Sequence, residues 1–169
     1  MSISVYQVSA PEITRLLGNV KNLLQKAVTH ADAKKIDHNA LLQARLYPDM
    51  FALLKQVQVV SDNAKSACAR LAGVTPPVFE DTEKTFAELF ARIDKTIAFV
   101  NSLKPEQFDG VEDRTIEVKF PGTTLKFTGL SFLNTFVLPN FYFHMSMVYA
   151  ILRHNGVEVG KGDFLGAIQ

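Results

Sequence analysis

The stretch PDMFALLKQVQVVSDNAKSACARLAG, residues 48–73, decides the fold. Met50, Leu53, Val57, Val60, Ala64, Ala67 and Leu71 recur at alternating steps of three and four, which is the period of one apolar helical face. Pro48 and Asp49 suit a first turn, and Gly73 with Pro76 and Pro77 supplies the stop. The spacing therefore predicts a helix that opens at Pro48 and ends at Leu71. One such stripe needs partners, and the same period recurs on both sides of it.

Upstream, Ser9-Ala10-Pro11-Glu12 has capping-box spacing with proline in the first turn, and Ile13, Leu16, Leu17, Val20, Leu24 and Ala27 carry the stripe. This first helix starts at Ser9 or nearer Val5. Residues 30–47 read as a long, partly ordered connection with one or two helical turns near Asn39 to Leu46. Downstream of Pro77, Asp81 or Thr82 is expected to cap a third helix whose stripe is Phe86, Leu89, Ile93, Ile97 and Val100, ending before Pro105.

The period then changes. Residues 115–120 alternate apolar and polar, Pro121-Gly122 supplies a turn, and residues 125–128 alternate again, which predicts a β-hairpin too small to stand without the helices beneath it. From 130 to 155 the helical period returns, with Pro139 expected to kink the helix and Asn155-Gly156 to end it. A short tail rich in glycine follows. The expected fold class is all-α: a four-helix bundle with a short β-hairpin inserted between helices 3 and 4, in a single domain over residues 1–169.

Charge narrows the partners. The 169 residues carry 18 Lys and Arg against 17 Asp and Glu, a net charge of +1, without the basic surplus of a nucleic-acid binder. Residues 1–7 lack the cationic and apolar regions of a secretory leader, and no uninterrupted apolar run reaches the roughly 18 residues of a membrane span. A cytoplasmic protein that touches no membrane is expected. Its one cysteine, Cys68, falls beside an apolar stripe and reads as a small core hydrophobe, the alternative being a reactive thiol.

The fourth helix is the anomalous element. Its inward stripe is expected at Leu133, Val137, Asn140, His144, Met147 and Ile151, which puts polar side chains in two consecutive core layers. An unpaired buried amide or imidazole costs about 1–3 kcal/mol, so Asn140 and His144 must find partners or line a cavity. Either they form a satisfied structural network, or they mark a ligand or metal pocket between helices, where bundles build such sites. His30, His38 and His154 are expected to face solvent. No nucleophile elbow, glycine-rich phosphate loop, Cys-x-x-Cys pair or His-Glu-x-x-His motif is present, and no carboxylate pair falls on an inward stripe.

Four phrases carry a family resemblance: Pro48-Asp49-Met50-Phe51, then residues 139–144 (PNFYFH), 149–154 (YAILRH) and 160–166 (GKGDFLG). Together with the order of elements they resemble the bacterial family called domain of unknown function nineteen ninety-three, within the DinB/YfiT-like superfamily of metalloenzymes. The resemblance implies a four-helix bundle, often dimeric, with a divalent metal held by one histidine on helix 2 and a His-x-x-x-His pair on helix 4. It also implies thiol-dependent transferase or isomerase chemistry. Carried over by position, the helix 4 pair falls on Asn140 and His144, and the helix 2 ligand on Gln56.

Two of those three positions therefore hold amides, whose oxygens are harder and poorer donors for zinc or nickel than imidazole nitrogen. The function expected is a small-molecule-binding or degenerate metal-site protein, with a pocket between helices 2 and 4 lined by Gln56, Asn140 and His144. His144 is its one metal ligand or general base, and no cofactor is expected. The alternative is a metal-dependent enzyme of the thiol-dependent transferase or isomerase type, using zinc or nickel. The expected partners are a small-molecule ligand and a second copy of the chain. Phe132, Phe136, Phe141, Phe143 and Tyr149 spread over more than one face of helix 4, which suits a homodimer formed through that helix or the hairpin.

Overall fold

The structure is a computed structural model and describes residues 3–167. Met1 and Ser2, part of the stretch read for a leader, lie outside the described residues, as do Ile168 and Gln169 at the other end of the 1–169 span.

Helix α1 spans Ala10–Lys34 and buries every position of its expected stripe. It runs beyond Ala27 because Ala31 is also buried, and it stops where Lys35 turns left-handed at φ 55°. No glycine or proline marks that end. The capping box does not form: the Ser9 hydroxyl donates back to the Val5 carbonyl at 2.6 Å, and Glu12 pairs with Arg15 at 2.6 Å. A short helix α2, His38–Leu42, follows, with Asp37 accepting from the Asn39 N–H.

Helix α3 is Leu53–Leu71, five residues shorter at its start than the stripe suggested. Ala52 is extended (φ −68°, ψ 162°), and the Leu53 N–H bonds the Ala44 carbonyl at 2.9 Å instead of an intrahelical partner. Residues 47–50 form a turn that ties α3 to the end of α2. Helix α4, Phe86–Ser102, is capped by Thr85 and not by Asp81 or Thr82. The Thr85 hydroxyl accepts from the Glu88 N–H at 3.2 Å, and the Glu88 carboxylate accepts from the Thr85 N–H at 2.9 Å.

Asp81 is drawn elsewhere. The Arg92 side chain, 1% exposed, reaches Asp62 at 2.8 Å, Asp81 at 2.9 Å and Glu83 at 3.0 Å. Lys65 and Lys95 lie over the Phe79 ring, 5.0 and 4.1 Å from its centroid. The connection between α3 and α4 is thus pinned by charge, beyond the packing of Ala72 and Val74 at its start.

Strands β1 (Thr115–Phe120) and β2 (Thr123–Thr128) pair antiparallel, with Thr115 opposite Thr128. Ile116 and Val118 point into the core, and Phe127 rests on Phe132 and Phe136 at 5.7 and 5.6 Å. The chain then runs without a break through α5 (Gly129–Ser131), a π-helical turn (Phe132–Val137) and α6 (Leu138–His154). The short α7, Lys161–Leu165, docks the tail on α1, where Arg15 and Asn19 donate to the carbonyls of Leu165 and Phe164.

Helix α3 packs between α4 and α6, and α1 packs against the same two from the other side, so α1 and α3 face each other across the bundle. Buried side chains from Val5 to Val159 join one core cluster. This is the expected four-helix bundle with its hairpin before the last long helix. That helix, Gly129–His154, is long and apolar enough to cross a membrane by length and composition, a property that a count of uninterrupted apolar runs passes over. Here it lies along α3 and α1.

Candidate functional site

The site depends on a change of register inside the last long helix. The Leu138 N–H bonds the Leu133 carbonyl, five residues back instead of four, and Pro139 then has no N–H to offer. A π turn holds one residue more than an α turn, so everything beyond it is rotated by about 100° relative to an unbroken α-helix. The stripe that begins at Leu133 and Val137 continues through Phe141, Met145, Val148 and Leu152, each 0% exposed. The placing of Asn140, His144 and Met147 in the core is corrected by this shift: all three are half-buried on the flank of α6.

That flank faces the start of α3. Gln56, in the first turn of α3 and 2% exposed, places its Oε1 2.7 Å from Nδ1 of His144. The Gln56 Nε2 donates to the Phe51 carbonyl at 3.4 Å, so its amide oxygen is the atom left for the imidazole. An amide oxygen can only accept, so Nδ1 carries the proton and donates, while Nε2 keeps its lone pair. Nε2 has no hydrogen-bond partner among the described residues, and it reaches solvent. Burial pushes the His144 pKa down, which keeps the ring neutral at neutral pH.

Aromatic surface frames the pair. Phe143 stands edge-on to the His144 ring at 5.1 Å and is 53% exposed, and Phe51, whose carbonyl holds Gln56, is 50% exposed. Neither phenylalanine stood out in sequence as a site residue, because a bundle helix carries many aromatics and only the fold tells which remain outside. Asn140 sits one turn before His144 on the same flank. Its Nδ2 donates to the Phe136 carbonyl at 2.6 Å, so the amide is turned onto its own helix at the π turn. The structure brings Gln56 and His144 into contact, and no hydrogen bond joins Asn140 to either.

A divalent metal fits this donor set poorly. The three positions that the resemblance assigns supply one imidazole, the Gln56 oxygen is already taken by the His144 proton, and Asn140, held by its Nδ2 on the Phe136 carbonyl, has only a neutral amide oxygen to offer. Among the described residues no group of three or more His, Cys, Asp or Glu side chains is placed to hold a metal ion. The other histidines stand apart: His38 pairs with Asp32 at 2.8 Å, His30 lies on α1 beside Gly156, and His154 closes α6. Cys68 is fully buried with its thiol pKa pushed up to about 12, the condition of an inert core side chain.

Two surface clefts lie elsewhere. One of about 540 Å³ is lined by Phe79, Glu83, Arg92 and Lys95, and one of about 580 Å³ by Lys26, His30 and Glu158. The first is walled by the charge cluster that pins the α3–α4 connection, and its Glu83 carboxylate is already paired with Arg92 and Gln58.

A four-helix bundle with a hairpin ahead of its last long helix defines a DinB-like bundle protein. The family model described as "Domain of unknown function (DUF1993)" matches residues 5–165, and the chain belongs to that family. Among solved structures it is similar to a DinB family member protein from Shewanella denitrificans, with 39% identity and a TM-score of 0.89. That alignment covers 97% of this chain and 93% of the other. No curated protein matches.

Proposed function

We propose that this chain is a small-molecule-binding protein whose site lies between α3 and α6, on the flank where Gln56 holds His144, and that this site is a degenerate form of a metal centre. The observation that carries the reading is the 2.7 Å hydrogen bond across the two helices, which leaves Nε2 of a neutral imidazole unpaired and open to solvent. A buried amide that fixes an imidazole in one orientation is how binding sites hold an acceptor ready for a ligand. Asn140, one turn away, supports the helix at the π turn instead of meeting the ligand.

The second reading is a metal-dependent enzyme of the thiol-dependent transferase or isomerase type, and it rests on the same hydrogen bond. A metal-bound imidazole also donates its other N–H to a fixed acceptor. Elemental analysis of protein purified without an affinity tag separates the two, with no stoichiometric zinc or nickel expected. A small-molecule thermal-shift screen should give hits on the wild type that His144→Ala loses. A screen whose hits are all retained by His144→Ala would refute the site.

The protein is proposed to act as a homodimer. No Lys, Arg, Asp or Glu occurs from residue 129 to 152, and Leu130, Tyr142 and Phe143 of this helix are exposed in the single chain. Light scattering at tens of micromolar should give twice the chain mass, and a monomer would refute this part.

A further inference from the structure

We infer that Gln56 is a positioning residue that fixes His144 with its proton on Nδ1, so that the site takes an uncharged ligand, bound through a hydrogen bond that the ligand donates to Nε2. This rests on the reading of the flank as a ligand site and adds the class of ligand and the residue that selects it.

The constraint begins with Gln56. Its amide is buried and has two fixed tasks: Nε2 donates to the Phe51 carbonyl, and Oε1 accepts from the imidazole. Reversing the amide would put its oxygen against the Phe51 carbonyl, two acceptors face to face, so the arrangement has one sense. A histidine free in water exchanges its proton between its ring nitrogens, and the tautomer in a protein follows the bond made by one of them. Here that bond crosses between helices and joins residues 88 apart in sequence, so it holds only while α3 and α6 keep their packing.

The ligand class follows from what surrounds Nε2. The nitrogen is an acceptor, so the ligand must donate. Gln56 is neutral, and neither it nor His144 forms an ion pair among the described residues. The cations flanking Gln56 in sequence are engaged: Lys55 pairs with Asp81, Lys65 with Asp62, and Arg45 donates to the carbonyls of Pro48 and Met50. An anion bound here would lose water with no unpaired lysine to meet it, and the Arg45 guanidinium is held on backbone carbonyls. The nearby exposed surface, Phe51 and Phe143, is apolar and aromatic. An uncharged donor group on an apolar or aromatic body, of which phenol is the simplest case, matches both features.

The test uses the full chain labelled with ¹⁵N-histidine, with phenol as probe and benzoate as its charged counterpart. In the wild type the spectrum should show His144 Nδ1 protonated and Nε2 bare, phenol should shift Nε2, and benzoate should leave it unchanged. Gln56→Met keeps the length and removes the acceptor, so it should move the proton toward Nε2 and weaken phenol at least tenfold. Gln56→Glu restores an acceptor and should keep Nδ1 protonated, which decides the matter if Gln56→Met fails to fold. A wild-type His144 protonated at Nε2, or a Gln56→Met variant with unchanged tautomer and phenol affinity, would overturn the inference. If benzoate binds as well as phenol, the uncharged-ligand assignment fails and the ligand site stands. If the tautomer is as inferred but neither probe reaches His144, the ligand site itself fails.

Discussion

Two methionines two residues apart test the register shift on which the site depends. Met145 is 0% exposed, whereas Met147, which the spacing of the sequence places in the core, is half-buried on the flank. Met145→Ala removes three heavy atoms from a close-packed site that the surrounding helices can only partly refill, at about 2–5 kcal/mol. Met147→Ala removes the same atoms where water already reaches part of the side chain, so about 1 kcal/mol or less is expected. For a chain of this length each kcal/mol moves Tm by about 2–4 °C, which puts the loss at about 4–20 °C for Met145→Ala and under about 4 °C for Met147→Ala. Differential scanning fluorimetry, backed by urea unfolding with both variants under one set of conditions, measures the difference. If Met147→Ala proved as damaging as Met145→Ala, the stripe would continue unshifted past Pro139. His144 would then belong in the core, not on the flank beside Gln56.

Arg92→Met should lower the urea midpoint by an amount equivalent to about 2–3 kcal/mol, below the 3–5 kcal/mol typical of a broken buried pair. The reason is that Asp62, Asp81 and Glu83 keep Lys65, Lys55 and Gln58 as partners; a variant as stable as wild type would refute the assignment of the cluster as the strap of the α3–α4 connection. Gly166 has φ +70°, and a Cβ there would run into the Asn19 side chain, so Gly166→Ala should loosen α7 at a cost of about 1–3 kcal/mol, read as lost hydrogen-exchange protection in residues 161–166. His144 titrates below its ordinary 6.5 in the folded chain because burial disfavours the cation, so the unfolded chain binds more protons just below that pH. Stability should therefore rise with pH up to about 6.5 and level off above it, and His144→Gln should flatten that rise. An unchanged slope in the variant would refute it.

The reading of the sequence and the structure agree where the cause is local. The three-and-four spacing in α1, α3 and α4 marks side chains that are buried, apart from Ile97, which is half-buried, and Met50, which is half-buried and lies before α3. The hairpin also follows from short-range chemistry, with alternation on each side of Pro121-Gly122. Positions Gln56 and His144 were singled out through the ligand positions that the family resemblance implies. Their contact was not, since nothing within either helix shows that residues 88 apart meet at 2.7 Å.

Tertiary structure decided the remainder. Pro48 and Asp49 look like the start of a helix, but the Leu53 N–H is taken by the Ala44 carbonyl, and the helix begins where that bond allows. Asp81 looks like a cap until Arg92 claims it from across the connection, and Thr85 caps instead. The π turn matters most, because one extra residue before Pro139 turns Asn140 and His144 out of the core and Phe141 and Met145 into it. Periodicity counts residues along an ideal helix and cannot register where the helix takes in one more. So the sequence by itself determined the elements and the apolar faces of α1, α3 and α4, while the π turn and the packing of α6 on α3 decided the face of the last long helix and which polar side chains meet across it.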